Sequence, residues 1–360
     1  MAPTTRRWEL GQVSPQGDGP GDSLVAVSDP PNNPNNPHDA LFRRTFSVAE
    51  NAIAELRAIL PRSLARDADW QSLRLCGGSF VDGALATLHS DLLYSVLISG
   101  RPALVYVLFE HQSRVDSLMP LRLLKYVVRV LERHVRERKE KGGPVLPLPL
   151  VIPVVLHHSE TGWTAGRRME DLFDSGALVD GEVAALVPKM GFVLDDISRT
   201  ADEEILGRTL TPEASLVLWA LRDARNGPRL LASLMRWGPL LADLARTSEE
   251  ALRTIVSYIL GVAEALSAEE LRSAVRAAAP QAENAIMTAA EQLIAKGRAE
   301  GRAEGRAEAR GEVLIRQLSL KFGPLEPATR QRVLSASEGE LDRWSEAVLT
   351  AKSLGEVLDG

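Results

Sequence analysis

Two runs of Val, Ile, Leu and Tyr flank a Gly/Pro turn between residues 91 and 110, and this pattern limits the fold more tightly than any other stretch. The first run is Asp91-Leu92-Leu93-Tyr94-Ser95-Val96-Leu97-Ile98. Ser99-Gly100-Arg101-Pro102 follows, then Ala103-Leu104-Val105-Tyr106-Val107-Leu108-Phe109-Glu110. Apolar strands around such a turn read as a β-hairpin. A turn centred between Gly100 and Arg101 sets Asp91 directly opposite Glu110, with Cβ atoms about 4.5–5.5 Å apart. Gln112 shares the face of Glu110, because strand side chains alternate. Two carboxylates and an amide at the end of two apolar strands are costly unless compensated. A hard divalent cation such as Mg²⁺, which takes oxygen ligands, supplies that compensation. The alternative is an exposed acidic pair at a sheet rim, held apart by water. Register decides between them: a slip by one residue sends the two acids to opposite faces. Pro102, which has no donor for the ladder, leaves that register open.

Four motifs occur in order: His38-Asp39-Ala40-Leu41-Phe42-Arg43-Arg44-Thr45-Phe46, Ser79-Phe80-Val81-Asp82, His89-Ser90-Asp91-Leu92-Leu93-Tyr94, and Phe109-Glu110-His111-Gln112-Ser113. Together they resemble the Rpn family of recombination-promoting nucleases, a transposase-like family that looks like a branch of the PD-(D/E)XK nuclease superfamily. The resemblance covers residues 38–200, with a looser likeness in the tail. It implies an α/β fold: a restriction-endonuclease-like mixed sheet flanked by helices, followed by an α-helical C-terminal region. It also implies a Mg²⁺-dependent DNA endonuclease whose strand breaks promote recombination. By position, the resemblance assigns metal binding to Asp91 and Glu110, and it puts Gln112 where the superfamily has a lysine. A lysine lowers the pKa of the attacking water and neutralises developing charge; a glutamine only orients that water by hydrogen bonds. Asp82-Gly83 departs from the Asp-Glu expected there. Gln112 in place of lysine, together with the acidic net charge of −6, favours a second reading, in which a nuclease fold of weak or lost chemistry serves as a nucleic-acid-binding or oligomeric interaction module.

The rest of the chain bounds these readings. A length of 360 residues with 45% apolar content is enough for two domains and a real core. The lone Cys76 excludes a disulfide framework and a multi-cysteine metal site. The N-terminus lacks the apolar core of a secretory signal and no long uncharged apolar run follows, so the expectation is a cytoplasmic protein without a membrane partner. A net charge of −6 argues against a uniformly basic nucleic-acid coat. The charge is uneven, however: residues 121–141 hold eight basic side chains against three glutamates. Arg122, Lys125 and Arg129 in this stretch are candidate contacts to a DNA backbone. The alternative is a solvated helix face whose long stems pack on neighbours.

Five segments are expected. Residues 1–37, with Pro-Pro-Asn-Asn-Pro-Asn-Asn-Pro, read as disordered. Residues 38–200 form the nuclease-like domain. It begins with a helix from Ser47, capped by a Ser47/Glu50 box and stopped at Pro61. Glu50 is thereby assigned to the cap and Glu55 to solvent. A helix from Leu118 to Lys139 follows the hairpin, with Leu121, Leu124, Val128 and Leu131 turned inward. Leu148 to Leu156 reads as a strand buried on both faces, although Pro149 and Pro153 each lack a ladder donor. His157 and His158 close it, either as phosphate or metal contacts or as satisfied polar residues. Pro188 to Ile197 reads as a last edge strand with an acidic exit. Residues 201–284 read as amphipathic helices that pack on the core or on each other.

Residues 285–318 carry the repeat Gly-Arg-Ala-Glu, at Gly297, Gly301 and Gly305. On a helix this separates small, Arg and Glu rows. Glycine costs about 1 kcal/mol per position, so such a helix needs outside support. A second copy whose Arg rows meet Glu rows supplies it, and a repeat longer than 3.6 residues favours a right-handed crossing. The alternative is a solvated spacer. Residues 319–360 read as a small helical module around Trp344.

Overall fold

The chain enters its fold through helices. α1 (Pro37–Phe46) and α2 (Ala49–Ile59) meet at Ser47-Val48. The expected capping box does not form: the Ser47 N–H donates to Arg43 O at 2.9 Å and so caps the C-terminus of α1, while Val48 takes the N-cap of α2. Pro61 ends α2, since the residue before proline avoids the helical region, and it opens α3 (Arg62–Asp67). The structure, a computed structural model, describes residues 36–76, 91–110, 115–174, 176, 181–264 and 266–359. The expected disordered segment up to residue 35, Asp82-Gly83, His89, His111 and Gln112 lie outside the described residues.

β1 (Ala68–Leu75) leads to β2 (Asp91–Ile98) and β3 (Arg101–Glu110). The reversal between β2 and β3 is Ser99-Gly100, with φ of 49° and 72°. Two successive left-handed residues are what a two-residue type I′ turn requires. Pairing therefore runs from Ile98↔Arg101 to Asp91↔Leu108. This corrects the expected register: the turn centres one residue earlier, and Asp91 lies opposite Leu108, not Glu110. The parity survives, because Glu110 is two residues beyond Leu108 and so holds a ladder position of the same parity as Asp91. Pro102 fits because Ile98↔Arg101 closes the turn as a hydrogen-bonded pair, which makes Leu97↔Pro102 a non-bonded one. On its other side, the ladder to the next strand starts only at Ala103.

α4 (Met119–Glu140) crosses over to β4 (Leu150–His157), which runs parallel to β3 from Ala103↔Leu150 to Glu110↔His157. After the short α5 (Gly181–Ala184), β5 (Val193–Asp196) adds a parallel edge, ending at His157↔Asp196. The sheet order is β1-β2-β3-β4-β5, antiparallel on one side of β3 and parallel on the other. β4 is buried from Ile152 onward, as its unbroken apolar run implies.

Each sheet face has its own cover. Leu92, Tyr94, Val105, Val107, Val154 and Leu156 enter a large core with the helices. This core takes in α1, α2, α7 (Pro212–Asp223), α8 (Gly227–Thr247), α9 (Glu249–Val262) and α10 (Ala268–Ala278), while α6 (Asp202–Leu206) contributes Ile205. Trp219 and Trp237 stack at 5.6 Å within it. The opposite face packs Leu93, Tyr106 and Val155 on Met119, Leu123, Tyr126 and Val130 of α4. This corrects the expected inward stripe of α4. Leu121 and Leu124 are half-buried, and Val128 is 44% exposed.

α11 (Glu283–Phe322) runs 40 residues through the repeat. Its first turns bury Ala285, Ile286 and Ala289 in the large core. Its last turns bury Leu314, Ile315 and Leu318 with Val333, Leu341, Trp344 and Val348 of α12 (Pro327–Leu334) and α13 (Glu338–Thr350). α14 (Leu354–Leu358) closes this separate small core. Gly323 ends α11 at φ 91°. Mixed α/β architecture with a five-stranded mixed sheet, flanking helices and a helical C-terminal region is consistent with a restriction-endonuclease-like fold.

Candidate metal and nucleic-acid site

Asp91 begins β2 and Glu110 ends β3, so both stand at the end of the hairpin away from its turn. That end is also the carboxyl end of the parallel strands β3, β4 and β5, where open α/β sheets bind their ligands. Asp91 and Glu110 share the face covered by α4. Diagonal neighbours of this kind have Cα atoms about 7–8 Å apart and Cβ atoms somewhat closer. No cluster of three or more His, Cys, Asp or Glu side chains suited to a metal occurs among the described residues, a set that excludes the side chains of Asp91 and Glu110 and the whole of Gln112.

The same row continues across the sheet. Glu110, His157 and Asp196 are successive partners on β3, β4 and β5. Asp196 is committed to its loop: Oδ1 accepts from Ser198 N–H and Oγ–H at 3.2 and 2.5 Å, and Oδ2 accepts from Trp163 N–H at 2.7 Å. Burial pushes its pKa up, but these hydrogen bonds outweigh burial and hold it below the usual value. His157 is fully buried, with Nε2 3.0 Å from Ser159 Oγ and its ring edge-on to Trp163 at 5.1 Å.

His158 faces the large core instead. Its Nε2 donates to Arg222 O at 3.0 Å, and burial lowers its pKa to about 4. His38 is held at about 3, by burial first and then by the charge of Arg225. The Arg225 guanidinium donates to His38 Nε2 at 3.1 Å, and His38 Nδ1 lies 2.5 Å from Tyr258 Oη. Both histidines are therefore neutral structural links at ordinary pH.

Glu55 was not anticipated. Instead of meeting solvent it is 4% exposed, beside Asp195 and Arg208. Arg208 grips Asp195 with two hydrogen bonds of 2.8 Å and reaches Glu55 Oε1 at 3.4 Å. Burial first, and then the charge of Asp195, hold the Glu55 carboxyl well above the usual range. Asp195 precedes Asp196 on β5 and so projects to the other face. This acidic pair thus belongs to the large core and cannot join Asp91 and Glu110. The clue in the sequence was spacing: Glu55 lies on the helical stripe of Ala52 and Leu56, which faces inward.

The candidate DNA contacts separate. Lys125 and Arg129 are exposed on the side of α4 turned from the sheet, along a shallow groove of about 380 Å³ lined by Leu121, Leu124 and Val128. Arg122 is drawn in, its side chain 12% exposed and 3.8 Å from Asp116. Among the described residues, no helix is long and apolar enough to cross a membrane.

Residues 36–252 match the family described as "Putative transposase, YhgA-like". The recombination-promoting nuclease RpnD of Escherichia coli O157:H7 is 32% identical over 258 residues, covering 71% of this chain and 94% of that protein. RpnC of Escherichia coli K12, also called a recombination-promoting nuclease, is 32% identical over 225 residues, or 62% of this chain and 70% of RpnC. RpnE of the same strain, called an inactive recombination-promoting nuclease-like protein, is 28% identical over 287 residues, or 79% of this chain and 91% of RpnE. No solved structure matches.

Proposed function

This chain belongs to the YhgA-like transposase family, whose relatives are named recombination-promoting nucleases, and on that premise we propose that it is a metal-dependent DNA endonuclease whose strand breaks promote recombination. The observation that carries this reading is the placement of Asp91 and Glu110 on one sheet face at the carboxyl end of the parallel strands. A bound Mg²⁺ supplies acidity to water and counter-charge at the scissile phosphate. Asp91 and Glu110 are the residues that would hold it, through carboxylate oxygens. Gln112 orients the attacking water with its amide, without the positive charge a lysine would bring. Lys125 and Arg129 contact the DNA backbone and set its affinity, not its sequence. Arg122 is the weaker candidate, since Asp116 already draws its charge.

Nicking of supercoiled plasmid tests this reading. The purified chain with Mg²⁺ is expected to nick, and Asp91→Ala to abolish nicking while DNA binding persists. Binding without cleavage across Mg²⁺ and Mn²⁺ would favour the rival, a nuclease fold that only binds nucleic acid or assembles. Two observations favour that rival: Gln112 in place of lysine, and the relative RpnE, which is named inactive.

The partner of α11 is a second copy of the chain. Met287, Ile294, Val313 and Leu320 are exposed, from 38% to 81%. At about 100° per residue they share one side of the helix with Gly301 and Gly305, opposite the side that buries Ala285, Ala289 and Leu314. A parallel copy sets the Arg row of one helix against the Glu row of the other, and small residues let the backbones approach.

A further inference from the structure

We propose that Arg199 and Arg225 are a pair of phosphate contacts at the carboxyl end of the sheet, holding the DNA strand across the site. This deepens the DNA reading above and rests on it. The first ground is place. β3, β4 and β5 end in one row, Glu110↔His157 and His157↔Asp196. Arg199 closes the 3₁₀ turn Ile197–Arg199 directly after β5. Its Nε lies 3.9 Å from where a Cβ on Gly162 would stand, so it reaches toward the loop that leaves β4. Arg225 follows Asp223, the last residue of α7, by two positions. The end of α7 is tied to both strand exits: Arg222 O accepts from His158 Nε2 at 3.0 Å, and Arg222 Nη1 donates to Thr200 O at 2.5 Å. Both cations therefore stand at the end of the sheet where Asp91 and Glu110 are placed.

The second ground is charge. Both arginines are exposed. Neighbouring arginines are matched by buried carboxylates: Arg222 by Asp202 and Asp223, and Arg208 by Asp195. Among the described residues, neither Arg199 nor Arg225 has a carboxylate partner. Asp196, three residues before Arg199, already accepts from Ser198 and Trp163. Glu160, exposed on the loop after β4, pairs with neither. Arg225 is aimed instead by a neutral acceptor, for its Nη2 donates to His38 Nε2 at 3.1 Å. A guanidinium only donates, so this bond uses the lone pair of an uncharged ring. Such an acceptor fixes the guanidinium without cancelling its charge. An arginine left charged in this way suits a phosphate, which it grips through paired N–H groups. These contacts add to those of Lys125 and Arg129 on α4.

The test is the salt dependence of duplex binding by the full-length chain. It is read as fluorescence anisotropy of a labelled oligonucleotide, once with EDTA and once with Ca²⁺, so that cleavage does not enter the readout. Wild type is expected to bind, with log affinity falling linearly against log salt. Arg199→Gln and Arg225→Gln are each expected to make that slope shallower by about 0.9, and the double variant by about twice as much. Arg199 makes no side-chain bond among the described residues, so Arg199→Gln is read by itself if Arg225→Gln does not fold. Arg199→Lys with Arg225→Lys keeps both charges and is expected to keep most of the slope. Arg101→Gln removes an equal charge at the hairpin turn, the opposite end of the sheet, and is expected to leave the slope unchanged. A wild-type slope in the glutamine variants overturns the inference. So does a change in Arg101→Gln as large as theirs, since net charge alone then counts. A lysine pair as shallow as the glutamine pair also overturns it, because the loss then traces to the fold and not to charge. In each of these cases the DNA reading stands, since wild type binds. If wild type binds no duplex in either series, the DNA reading itself fails and takes this inference with it.

Discussion

At the scale of single residues, burial decides protonation. His38 and His158 are neutral in the fold, with pKa values of about 3 and about 4 against an ordinary 6.5. The unfolded chain takes up their protons below pH 6.5 and the fold refuses them. Stability is therefore complete above that pH and falls as pH drops through 6.5 toward 4. Each histidine contributes on the order of 1 kcal/mol to the loss at pH 5.5. Thermal melts should show this acid slope, and His158→Asn should flatten it; an unchanged slope would remove His158 from the account. Glu55 has the opposite sign. Its folded pKa is raised, so the unfolded chain ionises first and stability declines as pH rises above the ordinary glutamate range. Glu55→Gln should raise the melting temperature, and the gap over wild type should widen from pH 5 to pH 8. A gap that stays constant with pH would refute the raised pKa. Asp91 and Glu110 were legible as site candidates because their types and positions stood out in the chain. Glu55 was misread because a lone glutamate on an amphipathic helix gives no local sign of a distant Arg208.

At the scale of elements, periodicity located α4 but not its orientation. Two apolar stripes run along it, one through Leu121, Leu124 and Val128, the other through Met119, Leu123, Tyr126 and Val130. Both have helical spacing, and only the surface of the sheet selects the second. The first is left beside Lys125 and Arg129. If these two meet DNA phosphates, charge reversal at both should weaken binding on any sequence. The slope of log affinity against log salt should become shallower by about 0.9 per lost contact. An unaltered slope would assign the stripe to solvent. α11 makes a sharper claim. Gly301→Leu and Gly305→Leu together add bulk on the proposed contact side. They also raise helix propensity by about 1 kcal/mol or less each, so the helix itself is not weakened. Light scattering should find a dimer in wild type and a monomer in the variant. A monomeric wild type would leave the repeat as a spacer.

At the scale of the molecule, one helix, α11, joins the large core to the small one. The large core joins the sheet to α1, α2 and the helices from α7 to the start of α11, while the small core gathers the end of α11 with α12, α13 and α14. Trp344 anchors the small core, with Arg332 5.6 Å from its ring. Trp344→Ala should cost about 3–5 kcal/mol, confined to the small core. Calorimetry should show the main transition in place and a lower, smaller one split from it. A single transition shifted as a whole would mean that the cores unfold together.

Local chemistry alone determined the hairpin, the buried strand β4 and the long helix α4, because turn residues and apolar periodicity act within a few residues of themselves. The tertiary structure decided the rest. It chose between the two stripes of α4, buried Glu55 against Asp195, and set Glu110 beside His157 across 47 positions of chain. Such choices depend on which surface an element meets, and a surface assembled from distant segments leaves no mark on the order of residues within any one of them.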